Sequence, residues 1–314
     1  MKHLFGVFLF IALLPSTARG VEFDASLLSQ CLELANHPDN AALRSRLLAH
    51  EHIQQIRINL PNHANISFDQ MAAHTKRLEH YADTLPTIEK QLPLLAAQAT
   101  SFLAGNHAPD GLSIRIVCGP PYDAFGFNKD GKVFLFANLP LIKPDFFPHL
   151  LRHEIWHASF REQHASITNE FEQAKHPLKR LAFIMLNEGV GHYYSFQRRV
   201  EPRIVYENWT ERTEKLFSLL YEKTDQLIVA STLEEQDELL WTSQASVPFW
   251  QKWGAVTGAV ITYRLKKKLH VETLQTLVAA GPCGFLSRYQ IEAAQMPNWE
   301  TIPDALVTAS CAKN

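Results

Sequence analysis

The five residues His153-Glu154-Ile155-Trp156-His157 place two imidazoles four positions apart, with a carboxylate beside the first. On an α-helix, positions i and i+4 share a face one turn apart, so His153 and His157 can both reach one metal ion. Neutral imidazole nitrogen suits zinc, and a carboxylate next to a metal-activated water can accept its proton, which is the role expected of Glu154 as general base. Leu150 and Leu151 lead in, Ile155 and Trp156 are uncharged, and Ala158 follows. Apolar neighbours of this kind lock a helix to the core and exclude water from an ion. With 15 histidines in 314 residues, coincidence is the competing explanation, and the apolar setting weighs against it.

A catalytic zinc site needs a third protein ligand and one open position. Glu188, in Met185-Leu186-Asn187-Glu188-Gly189-Val190-Gly191-His192, is the preferred candidate. Pro177 should end the preceding helix, and the chain from Leu178 can then return antiparallel and aim Glu188 at the metal. Glu162, His164, Glu170 and Glu172 are nearer but fit less well. His164 misses the spacing of the longer histidine motif by one residue, with Phe160 where that motif needs glycine. Glu162 is rotated off the ligand face. Glu170 and Glu172 sit in a polar, solvated stretch. His192 lies four residues after Glu188 on the same face, where it could orient a ligand or stabilise an oxyanion; the alternative is a hydrogen-bonded core histidine. Tyr193, Tyr194, Tyr263 and Tyr289 are further oxyanion candidates that spacing does not rank.

HEIWH followed by LNEG resembles the gluzincin zinc metallopeptidases, including secreted or periplasmic bacterial members. The resemblance covers about fifty residues. It implies zinc held by His153, His157 and Glu188, a zincin-like helical catalytic domain, a zinc-activated water and peptide-bond hydrolysis. No equivalent of the glycine-rich exopeptidase motif is present, so aminopeptidase specificity does not carry over. The resemblance also implies an exposed strand before the metal helix that pairs with extended substrate, a role falling to Val133–Asn138; the alternative is a hairpin that only covers the core.

The supporting elements read as mainly α (α+β). Helical patterns cover Ala41 to Ile56, Phe68 to Tyr81 and Ile88 to Leu103, with turns near Pro61, Pro86 and Gly105. Ser113–Cys118 and Lys132–Asn138 read as strands forming a small β-hairpin or sheet before the metal helix, with Asp130-Gly131 as a hairpin turn. A further helix is expected from Val247 to Lys268. Its Gly254, Ala255, Gly258 and Ala259 form a small-residue stripe that permits close approach of another helix. The chain divides into residues 1–20, an amino-terminal helical lobe at 21–110 and a metal-bearing lobe at 111–314, with no flexible linker between the lobes; one compact unit is expected.

Lys2 and His3 precede an apolar run from Leu4 to Leu14, and small residues follow at Ala18 and Gly20. This reads as a signal peptide cleaved after Gly20, hence export to the periplasm or outside the cell. The run is short for a membrane span, so no stable span is expected after cleavage, with an uncleaved anchor as the alternative. In an oxidising compartment Cys31, Cys118, Cys283 and Cys311 permit two disulfides in three pairings. Cys283 with Cys311 and Cys31 with Cys118 is preferred, because it ties the last segment to the body and the first helices to the first strand. Free buried thiols are the alternative. The chain is 46% hydrophobic and 20% charged with a net charge of −2, and its one basic cluster, Arg264 with Lys266 to Lys268, is too small to track phosphates. Nucleic acid is therefore excluded as a partner.

The sequence predicts an exported zinc metallopeptidase acting on peptide or protein substrates, with no oligomeric state specified. Two other functions fit the same residues: a secreted binding protein with a structural or inactive zinc site, and a zinc hydrolase of a non-peptide amide.

Overall fold

The computed structural model describes residues 21–61, 64–200, 208–245 and 248–312, so the predicted signal segment lies outside the described residues. The architecture is mainly helical with one small sheet, as the sequence implies.

The sheet has four strands in the order β1-β2-β4-β3: β1 (Glu22–Asp24), β2 (Leu112–Val117), β3 (Ala124–Lys129) and β4 (Lys132–Asn138). β1 and β4 run parallel to β2 on either side, and β3 pairs antiparallel with β4. β2 is buried along its whole length, as a central parallel strand should be. The turn between β3 and β4 is Asp130-Gly131, with φ of 50° and 73°. Two positive φ values match the mirror-image turns that fit strand twist, which explains the glycine. The edge strands are therefore β1 and β3, and the expectation that Val133–Asn138 forms an exposed edge is corrected: β4 is hydrogen-bonded on both sides. β1 and β3 carry too few apolar residues in alternation to be read as strands. Buried Asn138 holds the loop entering β3, donating from Nδ2 to the carbonyls of Pro120 at 2.6 Å and Tyr122 at 3.1 Å.

Before β2 lie α1 (Leu28–Asn36), α2 (Ala41–Ala49), α3 (Glu51–Asn59) and α4 (Thr75–Ala99). The predicted helix from Ala41 to Ile56 is broken at His50, whose ψ is 141° and whose Nδ1 accepts from His52 N and starts α3. The predicted break near Pro86 is absent: α4 runs through Pro86 and Pro93. Leu85, Ile88, Leu92 and Leu95 stay buried on one stripe, and that burial outweighs the hydrogen bonds two prolines forfeit.

After β4 come α5 (Phe147–Gln163), α6 (Ala165–Glu172), α7 (Pro177–Val200, kinked at Phe196), α8 (Trp209–Val229), α9 (Leu233–Ala245), α10 (Trp253–Lys268), α11 (Val271–Ala279), α12 (Gly281–Ala293) and α13 (Asp304–Cys311). Pro177 opens α7. α10 starts at Trp253 because Pro248 is extended and Phe249–Gln251 form a 3-10 turn; Val247 lies outside the described residues. α10 is buried over its first thirteen residues and packs on α7 with Gly258 against that helix's backbone. One apolar core joins the amino-terminal helices, the sheet and the front of α5, from Leu27 to Ala158. A second joins the remaining helices around α7 and α10. Disulfides connect Cys31 to Cys118 and Cys283 to Cys311, the preferred pairing.

Candidate active site

α7 lies antiparallel against α5. His157 meets Asn187 and Glu188, while His153 meets Glu188 and, two turns later, Ser195. Two glycines permit the approach. A Cβ on Gly191 would sit 2.9 Å from His153 Nδ1, and one on Gly189 would sit 2.6 Å from the Gly258 backbone of α10.

His153 Nε2 and His157 Nε2 face each other at 2.9 Å, and Glu188 oxygens lie 3.5 and 3.4 Å from them. Partners of the other ring nitrogens set the neutral tautomers. His157 Nδ1 donates to Asn187 Oδ1 at 3.1 Å. Ser195 Oγ donates to the Gly191 carbonyl at 2.9 Å and so accepts from His153 Nδ1 at 3.3 Å. Both Nε2 atoms then turn lone pairs toward one point that a carboxylate also borders. Such poles repel unless positive charge lies among them, and two imidazoles with one carboxylate are a zinc donor set. Trp156 Nε1 donates to the Asn187 carbonyl at 2.8 Å, bracing the same turn of α7.

The electrostatics agree. Burial pushes the His157 imidazole down, but the charge and hydrogen bond of Glu188 overcome it and raise it to about 9. Burial pushes the Glu188 carboxyl up, and the charge of His157 with hydrogen bonds from both histidines instead holds it well below the carboxylate range. The point between them favours positive charge. Glu154 is raised, because burial outweighs the charges of His153 and His157. His192 is held well below its ordinary value by burial and the neighbouring His153. Its Nδ1 donates to the Glu188 carbonyl at 2.9 Å, leaving Nε2 as an acceptor.

Two cavities of about 370 Å³ each flank this group. One lies between the hairpin, at Gly126, Phe127 and Leu135, and the rings of Phe160, Phe171 and Phe183. The other is walled by Asp123, Phe146, Phe196, Trp241 and Lys252, with His153 and His192 at its base. Glu154, Glu188 and Gln244 line both, so the two meet at the carboxylates.

The structure brings His153, Glu154, His157, Glu188 and His192 together. The competing ligands stay away: Glu172 pairs with Arg161 at 2.7 Å, and Glu162, His164 and Glu170 do not join the group. None of the four tyrosines lines either cavity. Tyr194 Oη bonds Ser101 Oγ at 2.8 Å, Tyr289 Oη accepts from Arg264 at 2.6 Å, Tyr193 Oη accepts from Lys266 at 2.8 Å, and Tyr263 packs on Trp209. Asn187, Ser195, Gln244 and Lys252 were not anticipated. Ser195 falls seven residues after Glu188, a same-face spacing legible in sequence; Lys252 comes from a distant helix start and carried no local signal.

A model of the family described as "Putative zinc dependent peptidase (DUF5700)" matches residues 16–298. The chain belongs to this family. No curated protein and no solved structure matches it. Zinc is thus the cofactor of this DUF5700 chain, and peptides or proteins are its class of substrate. Among the described residues two groups could hold an ion: His153, His157 and Glu188, and Asp24, Glu51 and His52. At the second, Arg115 Nη1 already stands 3.4 Å from Glu51 Oε1 and supplies positive charge, so the first group fits zinc better.

Proposed function

We propose that this protein is an exported zinc peptidase of the HExxH-plus-glutamate type, with His153, His157 and Glu188 as ligands and Glu154 as general base. The observation that carries the reading is the convergence of two Nε2 atoms 2.9 Å apart with the Glu188 carboxylate, at the junction of two cavities beside a free strand edge.

Zinc, when bound, supplies Lewis-acid polarisation of the scissile carbonyl and makes water acidic enough to attack near neutral pH. Glu154, raised by its burial, takes a proton from the attacking water on its carboxylate and returns it to the leaving amine nitrogen. Asn187 and Ser195 hold the two imidazoles with Nε2 forward. His192 donates from Nδ1 to the Glu188 carbonyl and so braces the turn of α7 that carries the carboxylate. The outer edge of β3, where Gly126 to Asn128 border the first cavity and Asp123 and Ala124 the second, offers main-chain groups to an extended peptide. The phenylalanine-lined cavity favours a bulky apolar side chain on one side of the cut bond.

Two disulfides support export. The shared core from Leu27 to Ala158 supports a single working unit of both lobes. The test is Glu154→Gln. Retained zinc with peptide cleavage lowered by at least about 10²-fold is expected; unchanged function in that variant would instead favour a binding protein.

A further inference from the structure

We infer that Lys252, oriented by His192, forms a binding corner for a negatively charged oxygen of the substrate. The inference rests on the peptidase reading of the same site. Lys252 lines the second cavity together with Glu154 and Glu188, and its Nζ is 3.4 Å from His192 Nε2. His192 Nδ1 is engaged by the Glu188 carbonyl, so Nε2 can only accept, and it takes one of the three ammonium protons. Among the described residues no carboxylate forms an ion pair with Lys252. Glu188 and Asp123 act on it only at longer range. A half-buried cation facing a cavity without a counter-anion in contact is incompletely compensated, and an anionic oxygen entering the cavity compensates it.

The position is well held. Lys252 N donates to the Phe249 carbonyl at 3.1 Å, and its own carbonyl accepts from Val256 N at 2.8 Å, which fixes the residue between the 3-10 turn and α10. α10 is packed against α7, the helix carrying Glu188, so the ammonium and the carboxylate keep their separation. The ligand chemistry is one anionic oxygen with two sources: the oxyanion that develops on the scissile carbonyl, or the terminal carboxylate of a short peptide.

The experiment compares wild type, Lys252→Met, Lys252→Gln and Lys252→Arg on two peptides of one sequence, one ending in a free carboxylate and the other amidated. Zinc content and thermal midpoint are measured alongside, and Lys252→Gln replaces Lys252→Met if the latter does not fold. An oxyanion partner predicts a kcat loss of about 10²-fold on both peptides with KM little changed. A carboxylate anchor predicts a KM rise of at least about tenfold on the free acid alone. Partial rescue by Lys252→Arg is expected in either case. Wild-type kcat and KM on both peptides in a zinc-loaded Lys252→Met or Lys252→Gln overturns the corner and leaves the peptidase reading standing. If zinc-loaded wild type cleaves neither peptide, the peptidase reading fails, and calorimetric titration with 3-phenylpropionate decides the corner. At least tenfold weaker binding to Lys252→Met supports it; equal binding overturns it.

Discussion

Gly258→Ala should both destabilise the protein and weaken its hold on zinc. A Cβ on Gly258 would lie 1.9 Å from the Met185 carbonyl oxygen and 2.8 Å from its carbon, where real contacts essentially never fall below 3.0 Å. The obstacle is backbone, so α10 and α7 must separate by about 1 Å at that point rather than swing a side chain aside. Overpacking of this kind costs about 1–3 kcal/mol, and backbone contact puts it at the upper end. Alanine returns about 1 kcal/mol of helix propensity, leaving a net loss of about 2 kcal/mol. In a unit of this size that lowers the melting temperature by about 3 °C. Met185 lies one turn before Glu188, and a shift of about 1 Å exceeds the tolerance of roughly 0.2 Å for a metal–ligand distance, so zinc affinity should fall at least tenfold. Gly254→Ala is the control, because its Cβ would meet the Ser243 and Leu181 side chains at 3.0 to 3.2 Å, which can give way. Calorimetric melting and competition with a chromogenic zinc chelator supply both readouts. A Gly258→Ala protein with wild-type melting temperature and zinc affinity, or one perturbed less than Gly254→Ala, would refute the reasoning.

Three further outcomes are expected. Asn187→Ala removes the acceptor that holds His157 Nδ1 at 3.1 Å and should weaken zinc binding about 10–100-fold while the far-ultraviolet circular dichroism stays unchanged. Replacing Cys31 and Cys118 by alanine opens a cross-link between residues 87 apart and should cost about 4–5 kcal/mol in denaturant unfolding, with a lowered midpoint as the readout. Burial outweighs the Asp24 charge and pushes the His52 imidazole below its ordinary 6.5, so the unfolded chain binds the proton more readily; stability should fall as pH drops below about 6.5, and a stability–pH curve for His52→Gln should lose part of that slope.

Local chemistry was legible in the sequence, and long-range geometry was less so. Two histidines one turn apart and the carboxylate of Glu188 behind Pro177 could be read from spacing because a helix repeats every 3.6 residues and proline punctuates it. The small-residue stripe of α10 was legible for the same reason, but its partner, Gly189 beside Glu188, was not. The hairpin turn announced itself through Asp130-Gly131, since few residues adopt positive φ. Its strand order did not: Lys132–Asn138 is rich in β-formers and invites assignment to the edge, whereas the Ala124–Lys129 segment, with Gly126 and Asn128, pairs outside it. Gly126 is required there because a Cβ would meet the Phe134 carbonyl at 2.7 Å, a contact only the paired partner defines. α4 illustrates the opposite error. Pro86 predicts a stop, yet four buried aliphatic residues keep the helix running. Lys252 enters the site from an element that no spacing rule connects to the histidines.

Zinc content of the purified mature protein, measured by elemental analysis for wild type, His157→Ala and Glu188→Ala, tests the central claim most directly. One zinc per chain in the wild type, lost in both variants while each remains folded, is the predicted result. A correctly folded wild type prepared without chelator that carries no zinc, or variants that keep a full equivalent, would contradict the assignment of His153, His157 and Glu188 as the metal site.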